Sequence, residues 1–178
     1  MGGVDKGLMP WQGLPLAWHV AQRLEPQVCQ VQVNANRHLS QYATWPWTPR
    51  PDDADLPQAF GPLAGMLTAL RHSQAEWVLT VPCDTPKLPA DLALRLLAQA
   101  QVAAADIAVP ATQADADEGT RHHWTCALIR RALLPTLEDA VRQNQPRVRD
   151  WITRQRWTGV SFRQADAFQN FNHIGDLA

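Results

Sequence analysis

Two short stretches of this 178-residue chain carry side chains suited to chemistry on phosphate. The first is MGGVDKG at residues 1–7. Gly2, Gly3 and Gly7 lack a Cβ, so the backbone there can approach a ligand closely or turn at positive φ. Lys6 supplies a compact positive charge with three donors. Taken alone, such a pattern also fits a loose glycine-rich end, and only the rest of the chain separates the two readings. The second stretch is Val81-Pro82-Cys83-Asp84-Thr85-Pro86. In an open α/β sheet ligands bind beyond the carboxyl ends of strands, and Asp84 stands directly past the apolar run Trp77–Val81. One fixed carboxylate is enough for Mg²⁺, which keeps water and substrate phosphate at its other positions. An aspartate here equally fits a turn cap. Cys83 has none of the partner pattern of a thiol nucleophile.

These groups need elements to position them, and the apolar periodicity supplies candidates. Leu16, Val20 and Leu24 recur at helical spacing after Gly13-Leu14-Pro15, with Pro26 beyond the end. Cys29, Val31 and Val33 alternate with Gln30 and Gln32, which predicts a strand ending near Asn34. The stretch 42–58, rich in proline, tryptophan and aspartate, has no sustained period and reads mainly as loop. Gly61-Pro62 opens a helix with Leu63, Leu67 and Leu70 on one face. Trp77–Val81 reads as a parallel strand buried on both faces. A helix through Leu92, Leu96 and Leu97, a strand at Ile107–Val109, and a loop or β-excursion over 112–123 follow. A strand at Trp124–Ile129, a helix at Leu133–Val141 and a strand at Trp157–Phe162 complete the order. Alternation of this kind predicts an α/β sandwich around a mostly parallel sheet.

Size and charge set the outer limits. The length fits one domain, 1–178, with a single core. A net charge of −1 without a Lys/Arg block gives no electrostatic footprint for nucleic acid or an anionic membrane. The apolar stretches are shorter than the ~20 residues a membrane span needs, and the N-terminus has no apolar signal core, so a cytoplasmic protein is expected. Cys29, Cys83 and Cys126 are widely spaced and odd in number, which reads as reduced thiols.

Five strings then occur in order: MGGVDKG, VNANR at 33–37, GPLAG at 61–65, PCDTP at 82–86 and AFQNFN at 167–172. In these the chain resembles the molybdenum cofactor guanylyltransferases, the MobA family, over almost its whole length. The resemblance implies a three-layer α/β/α Rossmann-like nucleotidyltransferase fold. It implies transfer of GMP from Mg·GTP to the phosphate of molybdenum-molybdopterin, giving the guanine dinucleotide cofactor and pyrophosphate. By position it assigns Lys6 to the GTP phosphates, Asn34 to the nucleotide and Asp84 to Mg²⁺. A further nucleotide-contacting aspartate falls among Asp52, Asp53 and Asp55, and the spacing to Gly61 leads us to Asp53. Asn170 and Asn172 match the family's C-terminal asparagines, with Asn172 a second Mg²⁺ contact. Arg37, Arg121, His123, Arg147 and Arg149 are candidates for the anionic pterin phosphate, although exposed arginines are usually plain surface. GTP binding is expected mainly in 1–86 and the acceptor mainly in 87–178. A monomer is expected, with molybdoenzymes or cofactor-delivery proteins as further partners.

The sequence departs from the family pattern at both ends. Family members have a strand and Leu-Ala-Gly-Gly ahead of the Met-Gly-Gly found here, so the first strand and first half of the glycine-rich loop are expected to be missing by truncation. The usual Thr-Pro-Glu near the C-terminus is replaced by His173-Ile174-Gly175. Two other readings therefore stand beside the first. One is a binding-only or catalytically impaired relative, and the other a cytidylyltransferase or sugar-phosphate nucleotidyltransferase of the same fold.

Overall fold

In the computed structural model, which describes residues 5–57, 60–113 and 119–171, the elements follow the predicted alternation. A hairpin of β1 (Pro10–Trp11) and β2 (Leu14–Pro15) leads into α1 (Leu16–Leu24), then β3 (Gln32–Asn34), α2 (Leu39–Tyr42) and β4 (Thr48–Arg50). After these come α3 (Pro62–His72), β5 (Trp77–Thr80), α4 (Leu92–Val102), β6 (Ile107–Gln113), β7 (Thr120–His122) and β8 (Ala127–Arg130). The chain closes with α5 (Leu134–Arg142), α6 (Val148–Ile152) and β9 (Trp157–Phe162). Local chemistry explains the boundaries. Pro15 precedes α1 in extended geometry, where a missing N–H costs nothing. Gly61, at φ +79°, turns the chain into α3, and Pro62 occupies the first position of that helix, as its fixed φ favours. Arg71 and His72 end α3, where a cation meets the negative end of the helix dipole.

Side-chain alternation along the strands builds the three layers. Ile107, Val109, Ala127, Ile129 and Val78 face a core shared with Leu63, Leu67 and Leu70 of α3, Leu137 of α5 and Trp151 of α6. Their neighbours Ala108, Leu128, Leu79 and Val160 face the opposite core, with Val20 and Leu24 of α1 and Leu92, Leu96 and Ala100 of α4. The period of two in a strand sends successive residues to opposite faces, so a sheet covered on both sides reads as nearly continuous apolar sequence.

The expectation of a mostly parallel sheet changes here to a mixed one. The five-stranded sheet runs β5-β8-β6-β7, with β9 on the other edge of β6. β9 pairs with β6 in parallel over Ile107–Thr112, whereas β8 is antiparallel to both β5 and β6. β7 and β8 lie along the same edge of β6, one against Ala111–Gln113 and the other against Ile107–Ala108. They are a single return strand interrupted at His123–Cys126, where Cys126 N–H donates to His123 O at 2.8 Å. The apolar pattern marks β8, within the strand expected at Trp124–Ile129, but carries no direction, and polar β7 fell in the stretch read as a loop or β-excursion, so the return was not legible. β5 also differs, being half-buried along its length. Among the described residues it ends the sheet order, paired with β8.

A smaller unit flanks this sheet. β3, where a strand ending near Asn34 was expected, pairs in parallel with β4 from Gln32↔Thr48 to Asn34↔Arg50, and β4 lies inside the stretch expected to be mainly loop. Three residues set among prolines are too few to show a period. The loop after β4 is pinned to the main core by ions. Arg71 binds Asp53 at 3.1 Å, Asp55 at 3.0 Å and Glu138 of α5 at 3.0 Å, and His72 lies 2.7 Å from Asp53. Desolvation pushes the Asp53 carboxyl up, but the hydrogen bonds and charges of His72 and Arg71 outweigh it and hold the group below its ordinary value. Arg71→Ala leaves three carboxylates without their common partner. It is expected to lower stability by about 1–3 kcal/mol, read as a shift in urea midpoint at unchanged slope.

Candidate functional site

Beyond β5 the chain enters Val81–Pro86, and hydrogen bonds fix its turn. The Thr85 hydroxyl donates to Pro82 O at 3.1 Å, and Asp84 O accepts from Phe171 N at 2.9 Å. Asp84 is 6% exposed, and its Oδ2 lies 3.6 Å from Lys6 Nζ. The two residues singled out in separate parts of the sequence are thus one ion pair. The neighbouring Cys83 is unsuited to attack. Desolvation, then the negative charges of Asp84 and Asp5, push its thiol up to about 11, and only a thiolate is an effective nucleophile.

Lys6 sits in a short 3₁₀ turn, Lys6–Leu8, that Asp5 caps by accepting from Gly7 N–H at 3.0 Å. The same oxygen accepts the Tyr42 hydroxyl at 2.9 Å. Leu8, Ala17, Ala35 and Tyr42 then pack together, which joins this turn to the end of β3. A Cβ on Gly7 would stand 2.4 Å from the Tyr42 oxygen, so glycine is required there by contact.

At the end of β3 a second group gathers. Asn34 Nδ2 donates to Arg50 O at 3.1 Å. Asn36 and Asp52 bond reciprocally, Asn36 Nδ2 to Asp52 Oδ2 at 2.7 Å and Asp52 N to Asn36 Oδ1 at 2.8 Å. Gly65 of α3 faces these residues. A Cβ there would fall 2.7 Å from Asn34 Oδ1 and 3.8 Å from Asp52 Oδ1, so Gly65 makes room for polar side chains of the site. Asp52 Oδ1 is buried with no hydrogen-bond partner among the described residues, a costly state for a carboxylate oxygen unless a ligand completes it. Asp53, the residue chosen from spacing, points instead to Arg71 and His72. Adjacent residues of an extended chain face opposite ways, and an offset of one in spacing cannot tell them apart.

A third feature adjoins Asp84. A cavity of about 210 Å³ is lined by Pro82, Thr85, Arg121, His123, Trp124 and Asn170, among others. The end of β7 and the break that follows it form most of its wall. His123 stacks on Phe168 with ring centres 4.7 Å apart and shares a 2.9 Å hydrogen bond with Thr112. Desolvation first, and then the charges of Arg121 and His122, push this imidazole down to about 4. His122 is lowered for the same first reason, with Arg149 adding to it, and it stacks on Trp124 at 5.0 Å. Arg149 reaches this loop, its guanidinium 5.9 Å from the Trp124 ring. Arg147 is exposed at the start of α6, and Arg37 is exposed beyond β3. Of the two asparagines expected on the acceptor side, Asn170 lines this cavity, and Asn172 lies outside the described residues. The sequence offered no signal for Asp5 and Tyr42, whose contact spans 37 positions, and it named Asp52 only as one of three candidate aspartates.

The family model described as a MobA-like NTP transferase domain matches residues 1–159. This chain belongs to that family. It is a nucleotidyltransferase. Among relatives that span the chain, the molybdenum cofactor guanylyltransferase of Acidovorax ebreus is 42% identical over 185 residues, covering 99% of this chain and 87% of the relative. That of Burkholderia cenocepacia is 41% identical over 180 residues, covering 100% and 87%. Of solved structures, molybdopterin-guanine dinucleotide biosynthesis protein A of Archaeoglobus fulgidus superposes with a TM-score of 0.77 at 17% identity, covering 98% of this chain and 88% of that one. The 2-C-methyl-D-erythritol 4-phosphate cytidylyltransferase of Thermus thermophilus gives 0.72 at 16%, covering 97% and 90%. Both superpositions speak to the fold alone. Among the described residues no helix is long and apolar enough to cross a membrane.

The neutral His123 makes stability depend on pH. Its folded pKa is depressed, so the unfolded chain takes a proton on this side chain below the ordinary 6.5, whereas the folded protein does so only near 4. Stability contributed by His123 is complete above 6.5 and is lost as pH falls through that window. Urea midpoints at pH 7 and pH 5 should therefore differ more for the wild type than for His123→Gln. Equal differences would show that the imidazole is not held neutral.

Proposed function

We propose that this nucleotidyltransferase transfers GMP from Mg·GTP to the terminal phosphate of molybdenum-molybdopterin, releasing pyrophosphate. The observation that carries the reading is the ion pair of Lys6 with the enclosed Asp84 beyond β5. The names borne by relatives spanning the whole chain support guanylyl transfer in molybdenum cofactor synthesis.

The donor set at Asp84 suits Mg²⁺. It is a hard carboxylate oxygen on a hydrogen-bonded turn. Among the described residues no group of three or more His, Cys, Asp or Glu side chains gathers to ligate a metal. A single carboxylate is enough for magnesium, which takes one or two and completes its shell with phosphate and water. Asp84 would hold the ion, and Asn172 is kept as a second contact on its sequence position. When bound, the ion supplies positive charge to the phosphate oxygens.

The chain's own residues account for the rest. Lys6 turns from Asp84 to the GTP phosphates and offsets charge there as a point cation. Asn34 and Asp52 receive the nucleoside: Asp52 Oδ1 takes a donor from it, and Asn34 offers both a donor and an acceptor. Asp52 thereby replaces Asp53 in this role. The cavity beside Asp84 receives the acceptor, with Arg121 and Asn170 toward its phosphate. Arg147 is left as a surface cation. An oxygen of the acceptor phosphate attacks the α-phosphorus in line, a new P–O bond forms, the bond from the α-phosphorus to its bridging oxygen breaks, and pyrophosphate leaves.

Pyrophosphate release from GTP, Mg²⁺ and molybdenum-molybdopterin tests this directly. Asp84→Asn should lower turnover by about 10²–10³, the usual cost of removing one group that stabilises transferring charge. Asp52→Asn should weaken GTP binding measured by calorimetry, and Asp53→Asn should lower stability with GTP affinity little changed. Full turnover in Asp84→Asn contradicts the reading, and turnover with CTP in place of GTP would reassign the base.

A further inference from the structure

Tyr42 lies outside every motif that marks the family, yet its side chain bonds the cap of the Lys6 turn. It is 2% exposed, and α2, one turn of helix entered through His38 at φ +51°, delivers it between β3 and β4. Its hydroxyl donates to Asp5 Oδ1 at 2.9 Å, and Gly7 N–H donates to that same oxygen at 3.0 Å. The Trp45 ring meets it edge-on at 4.7 Å, while Ala17 and Ala35 close around it. Burial, with the hydrogen bond to Asp5 next, pushes the phenol far above its ordinary range, so it remains a donor at any working pH.

Two constraints meet at this hydroxyl. Asp5 accepts from Tyr42 and from the backbone of the residue after Lys6, and the Tyr42 oxygen fills the space that a side chain at position 7 would need. The turn therefore has its Lys6 backbone clamped on both sides, by Asp5 in front and by Gly7 behind. The other end of the same connection carries Asn36, bonded to Asp52. One short segment between β3 and β4 thus touches both the nucleoside-facing group and the phosphate-facing turn.

We propose that Tyr42 is a positioning residue for the transfer reaction: through Asp5 and Gly7 it holds the turn that aims Lys6 beside Asp84. The proposal rests on the reading of Lys6 as the phosphate cation. It makes no claim that Tyr42 touches substrate.

A double-mutant cycle on the full chain separates this role from plain packing. Tyr42→Phe keeps the ring and deletes the donor. It is expected to lower kcat about tenfold, with the KM for GTP changed less than twofold, since Asn34 and Asp52 are untouched. In a Lys6→Met background the same substitution should have no further effect on kcat, because groups acting as a unit are not additive. Thermal unfolding of Tyr42→Phe checks that the variant is folded in the assay. Should it not fold, Asp5→Ala removes the oxygen that receives the hydroxyl and is expected to give the same kcat loss at unchanged KM. Unchanged kcat in a folded Tyr42→Phe, or in Asp5→Ala where that variant stands in, overturns the proposal, as does a tenfold loss that persists undiminished in the Lys6→Met background. Wild-type turnover in Lys6→Met alone would instead remove the role of Lys6 on which the proposal stands.

Discussion

The arrangement depends on keeping a carboxylate and an ammonium together at the open end of the sheet. Asp84 is enclosed and Lys6 is partly solvated, so the pair is screened less than a surface bridge and more than a buried one. An enclosed carboxylate without a cation would be costly. Lys6 answers that need in this structure, and under the proposed function a metal with the nucleotide phosphates would answer it once substrate binds. The same electrostatic requirement that stabilises the loop therefore prepares the site to exchange partners.

What holds the two halves of the pair differs. Asp84 is anchored by the main sheet, through β5 and through the backbone bond from Phe171. Lys6 is anchored by the smaller unit, through Asp5, Tyr42 and the contacts around Ala35. Asn34 and Asp52, proposed to receive the nucleoside, belong to that unit too, tied to α3 by Gly65 on one side and by the Arg71 ion network on the other. Substrate is thus expected to meet two bodies whose mutual placement is set by packing along α1 and α3. The cavity at the break in the return strand is lined by main-sheet residues and by Pro82 and Thr85 on either side of Asp84 in the chain; under the proposed function it would keep the acceptor apart from the nucleotide.

Much of this was legible in the residues. Helices α1, α3 and α5 and strand β9 follow directly from apolar spacing, because each buries one stripe or alternates across one sheet. Lys6 and Asp84 were singled out as a cation among glycines and a carboxylate after an apolar run, but each alone also fits a loose end or a turn cap; the structure adds that the two form one ion pair. The direction of β8 and the existence of β4 were hidden, since pairing partners lie far away in sequence and short ladders leave no period. Asp52 and Asp53 could not be separated from spacing. Their difference is which way each side chain points, and only Thr68, Arg71 and His72 on α3 decide that for Asp53. Tyr42 carried no signal, as a tyrosine in a proline-rich stretch looks like packing until its hydroxyl is seen on Asp5.

The most direct test of the central claim is a crystal structure of the protein with Mg²⁺ and a non-hydrolysable GTP analogue. The account predicts Asp84 Oδ2 on the metal, Lys6 Nζ moved from Asp84 to a phosphate oxygen, and Asp52 Oδ1 accepting a hydrogen bond from the nucleoside. A bound nucleotide with the Lys6–Asp84 pair still closed and Asp84 without a metal would contradict it.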